Sequence, residues 1–172
     1  MDIRPLTEAD TEAYWAVRLR ALREESQAFG SSYEEQQDRP LALVAERLRA
    51  MTASDDFILG AFEGTGGMNL VGIMAFGREQ GRKNRHVGMV YQVYVAPEVR
   101  GRGYSRALLE ALIARARTLE GMERLNLGVV VGNPAARGLY IALGFDVYGR
   151  QPEALKFDNG TYRDEELMSL RL

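Results

Sequence analysis

The run VGMVYQVYV, Val87 to Val95, and the loop Arg100–Gly103 that follows it constrain the fold of this chain most. The run is rich in valine and aromatic residues, which predicts a buried strand. After the loop, apolar residues recur at helical spacing as far as about Glu120. The chain therefore predicts a strand, a loop with two glycines and two arginines in four positions, and a helix.

This loop has the chemistry of an anion cradle. The first backbone N–H groups of a helix lack intrahelical partners, and the helix dipole adds partial positive charge there. Gly101 and Gly103 can adopt angles closed to other residues, and Arg100 and Arg102 can add charge-assisted contacts. Phosphate is the favoured anion. The alternative is a glycine-rich turn with solvated arginines, because short glycine motifs are weak signals.

Two nucleotide-binding motifs are excluded by specific residues. A Walker loop needs a lysine at the helix start, whereas this chain has Gly103-Tyr104-Ser105. A dinucleotide fingerprint needs a third small residue where this chain has Arg106. That fingerprint also lies early in a βαβ unit, whereas here other strands and helices precede the loop.

The first half of the chain predicts a strand, two helices and two further strands. The strand DIRPL leads to Thr7 and Asp10, which resemble a helix capping box. The apolar faces of the two helices are predicted to be Trp15, Leu19 and Leu22, and, after Pro40, Leu41, Val44, Ala45, Leu48 and Met51. The strands DFILGAFE and LVGIMAFG follow, joined by a glycine-rich turn at 64–67.

The second half completes a mixed pattern without a linker or a repeat. After the loop and its helix, RLNLGVVV predicts a buried strand and NPAARGLYIAL a short helix. Two last strands turn at Asp158–Gly160, which is a strong hairpin signal.

Composition excludes several classes of site and partner. Of the 172 residues, 46% are hydrophobic and 27% charged, and the net charge of −2 gives no global field for nucleic acid. There is no cysteine and His86 is the single histidine, so disulfides, thiol nucleophiles and a histidine-rich metal site are excluded and no metal is expected. No apolar run approaches the ~20 residues that span a bilayer, and the first residues, MDIRPLTEAD, lack the apolar stretch of a signal peptide. We expect a cytoplasmic monomer or small oligomer, with a homodimer among the options.

A second motif consists of Asn133, Ala136, Leu139, Tyr140, Gly144 and Phe145. Local physics alone explains it as a helix with Asn133 as N-cap, Pro134 at its first position and Gly144 at its end. Together with Arg100–Ser105, however, it resembles the GCN5-related N-acetyltransferase (GNAT) superfamily. That family's phosphate loop is Arg/Gln-x-x-Gly-x-Gly/Ala, and only Ser105 departs from it. The motifs come in the family's order, so residues 1–172 are expected to form a single N-acetyltransferase domain.

The resemblance implies an α/β (α+β) fold with acetyl-CoA as cosubstrate. Its central mixed, mostly antiparallel sheet would have about seven strands with about four helices. The fourth and fifth strands, 87–95 and 124–131, would splay apart around the pantetheine arm. The cofactor-binding residues it implies are Val93, Tyr94, Val95, Arg100, Gly101, Arg102, Gly103, Tyr104, Ser105 and Asn133.

The implied reaction is direct attack of a primary amine on the thioester in a ternary complex. Tyr140 occupies the family's position for the acid that protonates the leaving thiolate. An alkylammonium has a pKa near ~10, so the amine must first lose a proton. Many members carry a glutamate for this in the fourth strand, but here that strand contains Gln92 and Tyr91 instead. The candidates for the base are Glu25, Glu34 and Glu35, or a water chain.

The acceptor site is expected to involve the segment Arg23–Asp38, where family members shape it. Its five acidic residues against one arginine favour a cationic amine, although a solvated acidic loop is the alternative. The expected substrate contacts are Phe29, Tyr33, Glu34 and Tyr91. The basic patch within Gly77–His86 is interpreted as a hairpin tip in water, and contact with CoA is left open. A small-molecule acceptor is expected; the alternatives are a protein or peptide acceptor and a non-catalytic acyl-CoA-binding module.

Overall fold

A computed structural model describes residues 1–64 and 69–172 of the chain. The strands are β1 Asp2–Pro5, β2 Phe57–Glu63, β3 Asn69–Arg78, β4 Val87–Val95, β5 Arg124–Val130, β6 Asp146–Lys156 and β7 Tyr162–Arg171. The helices are α1 Thr11–Glu24, α2 Tyr33–Gln36, α3 Leu41–Thr52, α4 Tyr104–Ala116 and α5 Pro134–Ala142. In these ranges the strands form one seven-stranded sheet in the order β1-β2-β3-β4-β5-β7-β6. Its neighbours are antiparallel except for the parallel pair β4 and β5, which confirms the predicted fold class.

The middle of the sheet opens because β4 and β5 pair over a short stretch. Their register joins Val87–Met89 to Arg124–Asn126 and does not continue in the described residues. On the other side of β4, Ile73 pairs with Tyr94 and Ala75 with Tyr91, so two residues of β4 oppose one residue of β3. Such a bulge bends a strand and increases its twist. The bulge therefore turns the end of β4 away from β5, which gives the expected splay.

Local signals in the sequence explain where several elements begin and end. The capping box of Thr7 and Asp10 is confirmed at the single-turn helix that leads into α1. Asn133 caps α5, with its Oδ1 accepting a hydrogen bond from the Ala136 N–H at 3.1 Å. The hairpin turn at Asp158–Gly160 joins β6 to β7, with Gly160 at φ 79°. These features depend on neighbours in the chain, which is why spacing alone predicts them.

Some details of the prediction are wrong or untested. In α3, Val44, Leu48 and Met51 are buried, but Leu41 is 44% exposed and Ala45 is partly buried. Leu41 is the first residue of the helix, and a helix terminus has neighbours on one side only. The helix after the loop ends at Ala116 rather than near Glu120. Of the glycine-rich turn predicted at 64–67 between β2 and β3, residues 65–67 lie outside the described residues.

Candidate functional site

A cavity of about 450 Å³ lies where β4 leaves β5, beside the start of α4. Most of the residues expected to bind the cofactor line it: Val93, Tyr94, Val95, Arg100, Gly101, Gly103, Tyr104, Ser105 and Asn133. Tyr140, the expected acid, lines the same cavity. The fold therefore brings the two sequence motifs, one at the start of α4 and the other along α5, to the two sides of one opening.

The glycine loop forms the end of this cavity. Gly101 and Gly103 have φ angles of 75° and 86°, in the left-handed region that favours glycine. Gly103 is the N-cap of α4, so the N–H groups that follow it begin the helix without intrahelical partners. A Cβ added at Gly103 would meet nothing within 4 Å among the described residues. The loop thus offers open space and backbone donors, which fit a pyrophosphate.

The two arginines of the loop have different surroundings. Arg100 lines the cavity; its Nε donates to the Val95 carbonyl at 3.0 Å and its Nη2 lies 2.6 Å from Glu25 Oε1. Arg102 instead turns towards β2, where its Nη2 pairs with Glu63 Oε1 at 2.6 Å. Arg102 is the one expected cofactor-binding residue that does not line this cavity. Arg100 is therefore the arginine placed to meet an anion there.

Tyr140 is a core residue that also lines the cavity. The residue is 4% exposed, and its ring packs against Phe145 with centroids 6.0 Å apart. Among the described residues, its hydroxyl forms no hydrogen bond. Burial raises the pKa of Tyr140 to about 12. The phenol therefore carries its proton throughout the physiological pH range.

Tyr94 lines the cavity, and its hydroxyl is bound to α1. The hydroxyl donates a hydrogen bond of 2.6 Å to Glu24 Oε2 on α1. Burial, followed by this bond to a carboxylate, raises the pKa of Tyr94. Glu24 also forms an ion pair with Arg20, and Arg20 forms a second ion pair with Glu98. This network anchors α1 to the end of β4.

A second cavity, of about 780 Å³, lies between the segment that follows α1 and the turn of the β6–β7 hairpin. Of the four residues predicted to contact the acceptor, Phe29, Tyr33 and Glu34 line this cavity, whereas Tyr91 lines neither cavity. The two cavities share a wall, since Glu25 and Ala28 line the first while Ser26 and Gln27 line the second. Tyr91 packs its ring near Gly77 instead, where an added Cβ would lie 3.3 Å from it.

Arg18 is a notable residue that sequence analysis missed. It lies on the buried face of α1 and is 5% exposed, with its guanidinium 4.8 Å from the centroid of the Phe29 ring. Within the part of the chain that the structure describes, its Nη1 is buried without a hydrogen-bond partner. Burial lowers its pKa. An arginine in the apolar stripe of Trp15 and Leu22 is the signal that would have identified it.

The basic patch between β3 and β4 was predicted to lie in water, but the side chain of one of its residues, Arg78, is largely buried. The side chain of Arg78 is 9% exposed and donates to the carbonyls of Arg85 and Glu120, both at 2.6 Å. It also pairs with Asp55. Arg78 therefore closes this end of the sheet, because its guanidinium satisfies backbone carbonyls that would otherwise lack donors. The loop 77–86 does not line the cofactor cavity.

Comparison with known proteins supports the same fold and family. The acetyltransferase (GNAT) family matches residues 18–145. The L-methionine sulfoximine/L-methionine sulfone acetyltransferase of Pseudomonas aeruginosa is 39% identical over 83 residues, 48% of this chain and 46% of that protein. The chain thus spans about half the length of the curated relatives it matches.

Solved acetyltransferase structures resemble the whole chain. The ribosomal-protein-alanine N-acetyltransferase of Brucella melitensis is 28% identical, with a TM-score of 0.85 and 100% of both chains covered. The putative acetyltransferase yncA of Salmonella typhimurium, solved with its cofactor acetyl-CoA, is 25% identical, with a TM-score of 0.84, covering 100% of this chain and 94% of that one. Among the described residues, no helix is long and apolar enough to cross a membrane. The splayed sheet, the glycine loop and the matched region together place this chain in the acetyltransferase (GNAT) family.

Proposed function

We propose that this protein transfers the acetyl group of acetyl-CoA to a primary amine of a small-molecule acceptor by direct attack in a ternary complex. The observation that carries the proposal is the single cavity at the β4–β5 opening, which holds both the Gly101–Gly103 loop and Tyr140. We also propose that residues 1–172 act as one domain, in line with the single sheet in the described residues. A cytoplasmic location and a homodimer stay predictions.

The loop and the edge of β4 would hold the cosubstrate. The N–H groups at the start of α4 and Arg100 would bind the pyrophosphate, because both present positive charge to the cavity. Val93–Val95 would pair through their free backbone edge with the pantetheine arm. A β4 N–H directed at the thioester oxygen would stabilise the negative charge that develops there. Acetyl-CoA supplies the activated acetyl group and the thiolate leaving group.

Tyr140 would protonate the departing thiolate. Its pKa, raised to about 12, keeps the phenol protonated throughout the physiological pH range. A thiol titrates near ~8.5, so a phenol of higher pKa is a weak donor to it and contributes modestly. Asn133 acts in this site mainly by capping α5, which fixes the position of Tyr140 on the helix.

The acceptor would enter through the second cavity, which adjoins the first. Phe29 and Tyr33 provide apolar and aromatic surface there, and Glu34 and Glu35 provide negative charge. A cationic amine is therefore attracted to this side of the opening. The Pseudomonas relative is named for acetylating amino-acid derivatives and the Brucella neighbour for acetylating a ribosomal protein, so small and peptide acceptors both belong in the test.

The test measures free-thiol release from acetyl-CoA with amines, amino acids, polyamines and peptides, alongside calorimetry of acetyl-CoA binding. We expect binding of acetyl-CoA and turnover with at least one small amine. Turnover with peptides but with no small amine would replace the proposed acceptor class. Binding without turnover would identify a non-catalytic acyl-CoA-binding module, the reading that the missing β4 carboxylate favours.

A further inference from the structure

Glu165 lies on the face of β7 opposite the one that α5 covers. Its neighbour Glu166 pairs with Arg137 of α5 at 2.6 Å, so the alternation of a strand directs Glu165 to the other face. Arg163, two residues away on β7, lies on the same face of the strand as Glu165 and lines the second cavity, through which the acceptor would enter. Glu165 therefore faces the side from which the proposed acceptor enters.

The register of β5 places this carboxylate at the opening of the sheet. In the described residues, the pairing of β5 with β4 stops at Asn126, so Gly128 lies on the stretch of β5 that borders the opening. A Cβ added at Gly128 would lie 3.0 Å from Glu165 Oε2, which means that the carboxylate rests directly above this glycine. The absence of a side chain at Gly128 provides the room that Glu165 occupies.

The surroundings of Glu165 leave its carboxylate available to a ligand. Within residues 1–64 and 69–172, it has neither an ion pair nor a hydrogen bond with another side chain. Its paired neighbours, Val130 on β5 and Gln151 on β6, do not titrate. Glu165 itself lines neither cavity; the charged groups that line the second cavity, which Arg163 on the same face of β7 borders, are Arg23, Glu34, Glu35, Lys156, Asp158 and Arg163. Burial raises the pKa of Glu165, and no neighbouring charge offsets this effect.

We propose that Glu165 is the general base that accepts a proton from the acceptor ammonium. This inference rests on the proposed function and supplies the group that β4 lacks. Glu165 and Tyr140 then lie on opposite faces of the sheet, one at each side of the opening. The amine is deprotonated on one face and the leaving thiolate is protonated from the other.

The protons balance in this scheme. One proton passes from the ammonium to Glu165, and the freed nitrogen lone pair forms the C–N bond as the C–S bond breaks. Tyr140 gives its proton to the sulfur and recovers one from the attacking nitrogen, which keeps one proton as the amide N–H. Glu165 returns its proton to water, so the reaction forms the amide and free CoA and releases one proton in total.

The other carboxylates near the site have structural partners or lie elsewhere. Glu25 pairs with Arg100 at 2.6 Å and lines the first cavity, not the second one through which the acceptor would enter. Glu35 accepts from the Ser32 N–H at 2.9 Å and so caps α2. Glu34 is exposed in α2, where nothing shields it from water. Glu165 instead rests above Gly128, on the stretch of β5 that borders the opening.

The test uses the full chain and the acceptor found by thiol release, and compares Glu165→Gln with the matched control Glu166→Gln. We expect Glu165→Gln to lower kcat/KM by about 10²–10⁴-fold, the usual contribution of a general base. Acetyl-CoA affinity should stay at the parent's value. The parent's kcat/KM should fall as the pH drops through the pKa of Glu165. This acidic limb of the pH–rate profile should be missing in Glu165→Gln. Glu166→Gln should keep both the rate and the limb.

If Glu165→Gln does not fold, a second variant tests the same role. Gly128→Ala keeps every carboxylate but adds a Cβ where the Glu165 carboxylate rests, and a glutamate side chain can move aside without unfolding the sheet. It should lower kcat while leaving acetyl-CoA binding intact. Two results would overturn the role of Glu165 without affecting the proposed function. One is a parent-like kcat/KM with an unchanged decline at low pH in Glu165→Gln, and the other is a parent-like kcat in Gly128→Ala. A parent that binds acetyl-CoA but acetylates no amine would overturn the proposed function as well.

Discussion

The Tyr14 hydroxyl donates a hydrogen bond of 2.9 Å to Gln92 Oε1, and Gln92 has a φ of 55°. A non-glycine residue in the left-handed region is strained by about 1–2 kcal/mol. Gln92 lies in the bulge at which β4 turns away from β5. The bond from α1 therefore helps to hold the strained residue that opens the sheet.

Tyr14→Phe should lower the free energy of unfolding by about 1 kcal/mol, because it deletes this hydrogen bond and keeps the buried ring. Urea denaturation measures the change. Tyr148→Phe is the control, since Tyr148 is 58% exposed. Equal denaturation midpoints for Tyr14→Phe and the parent would show that the bond does not support the bulge.

Tyr140→Phe should lower kcat by about 10²-fold, at the low end for a general acid, because a thiolate leaves fairly well unaided. Acetyl-CoA affinity should be retained, since the ring and its contact with Phe145 remain. Because the pKa of Tyr140 is raised to about 12, the parent's pH profile should show no loss of this donor near neutrality. Steady-state kinetics and a thermal melt on one preparation separate catalysis from packing. Parent-like kcat, with chemistry limiting the rate, would leave Tyr140 as a core residue.

Gly103→Ala should weaken acetyl-CoA binding, because its Cβ would enter the space proposed for the pyrophosphate. The backbone at Gly103 has φ 86°, so any side chain also strains the fold. Gly160→Ala is the matched control: Gly160 has φ 79° and equally open space, but lies in the distant hairpin turn. Calorimetry and melting of both variants distinguish the two effects. Equal affinities of the two variants for acetyl-CoA would show that this loop does not bind the pyrophosphate.

Arg100→Ala should weaken acetyl-CoA binding and flatten its salt dependence, because a screened attraction is deleted. Arg102→Ala should have a smaller effect, since Arg102 pairs with Glu63 and does not line the cavity. Binding measured at low and high ionic strength tests both variants. A larger loss for Arg102→Ala would reverse the assignment that the structure suggests.

Asp10→Asn should lower stability near neutral pH by about 1 kcal/mol, a modest value because Arg4 is 41% exposed. The hydrogen bonds from Arg4, assisted by that of the Thr7 N–H, lower the pKa of Asp10 below its value in the unfolded chain. The stabilisation is therefore present above the unfolded pKa of ~3.9 and is lost as the pH falls through the folded pKa. Melts of the parent and the variant should converge in acid. The exposed Asp38→Asn is the control, and a pH-independent difference would contradict the ion pair.

The order of the elements and the two motifs of the site were predictable from the sequence because they depend on neighbouring residues. Hydrophobic spacing predicts α1, α3 and α4, and the glycines at 101 and 103 do adopt the left-handed angles that their loop requires. Asn133 and Asp158–Gly160 act within a few residues of themselves. Periodicity is less informative at helix ends, which is why Leu41 was predicted to be buried and is exposed.

The partners of charged side chains and the face on which each strand residue lies depended on tertiary structure. Arg100 meets Glu25 and Arg102 meets Glu63, and nothing local in a loop of alternating glycines and arginines distinguishes the two. Glu165 and Glu166 are identical neighbours in the sequence. One pairs with Arg137 of α5 and the other lies above Gly128, because the register of β7 on β5 decides which face each carboxylate occupies.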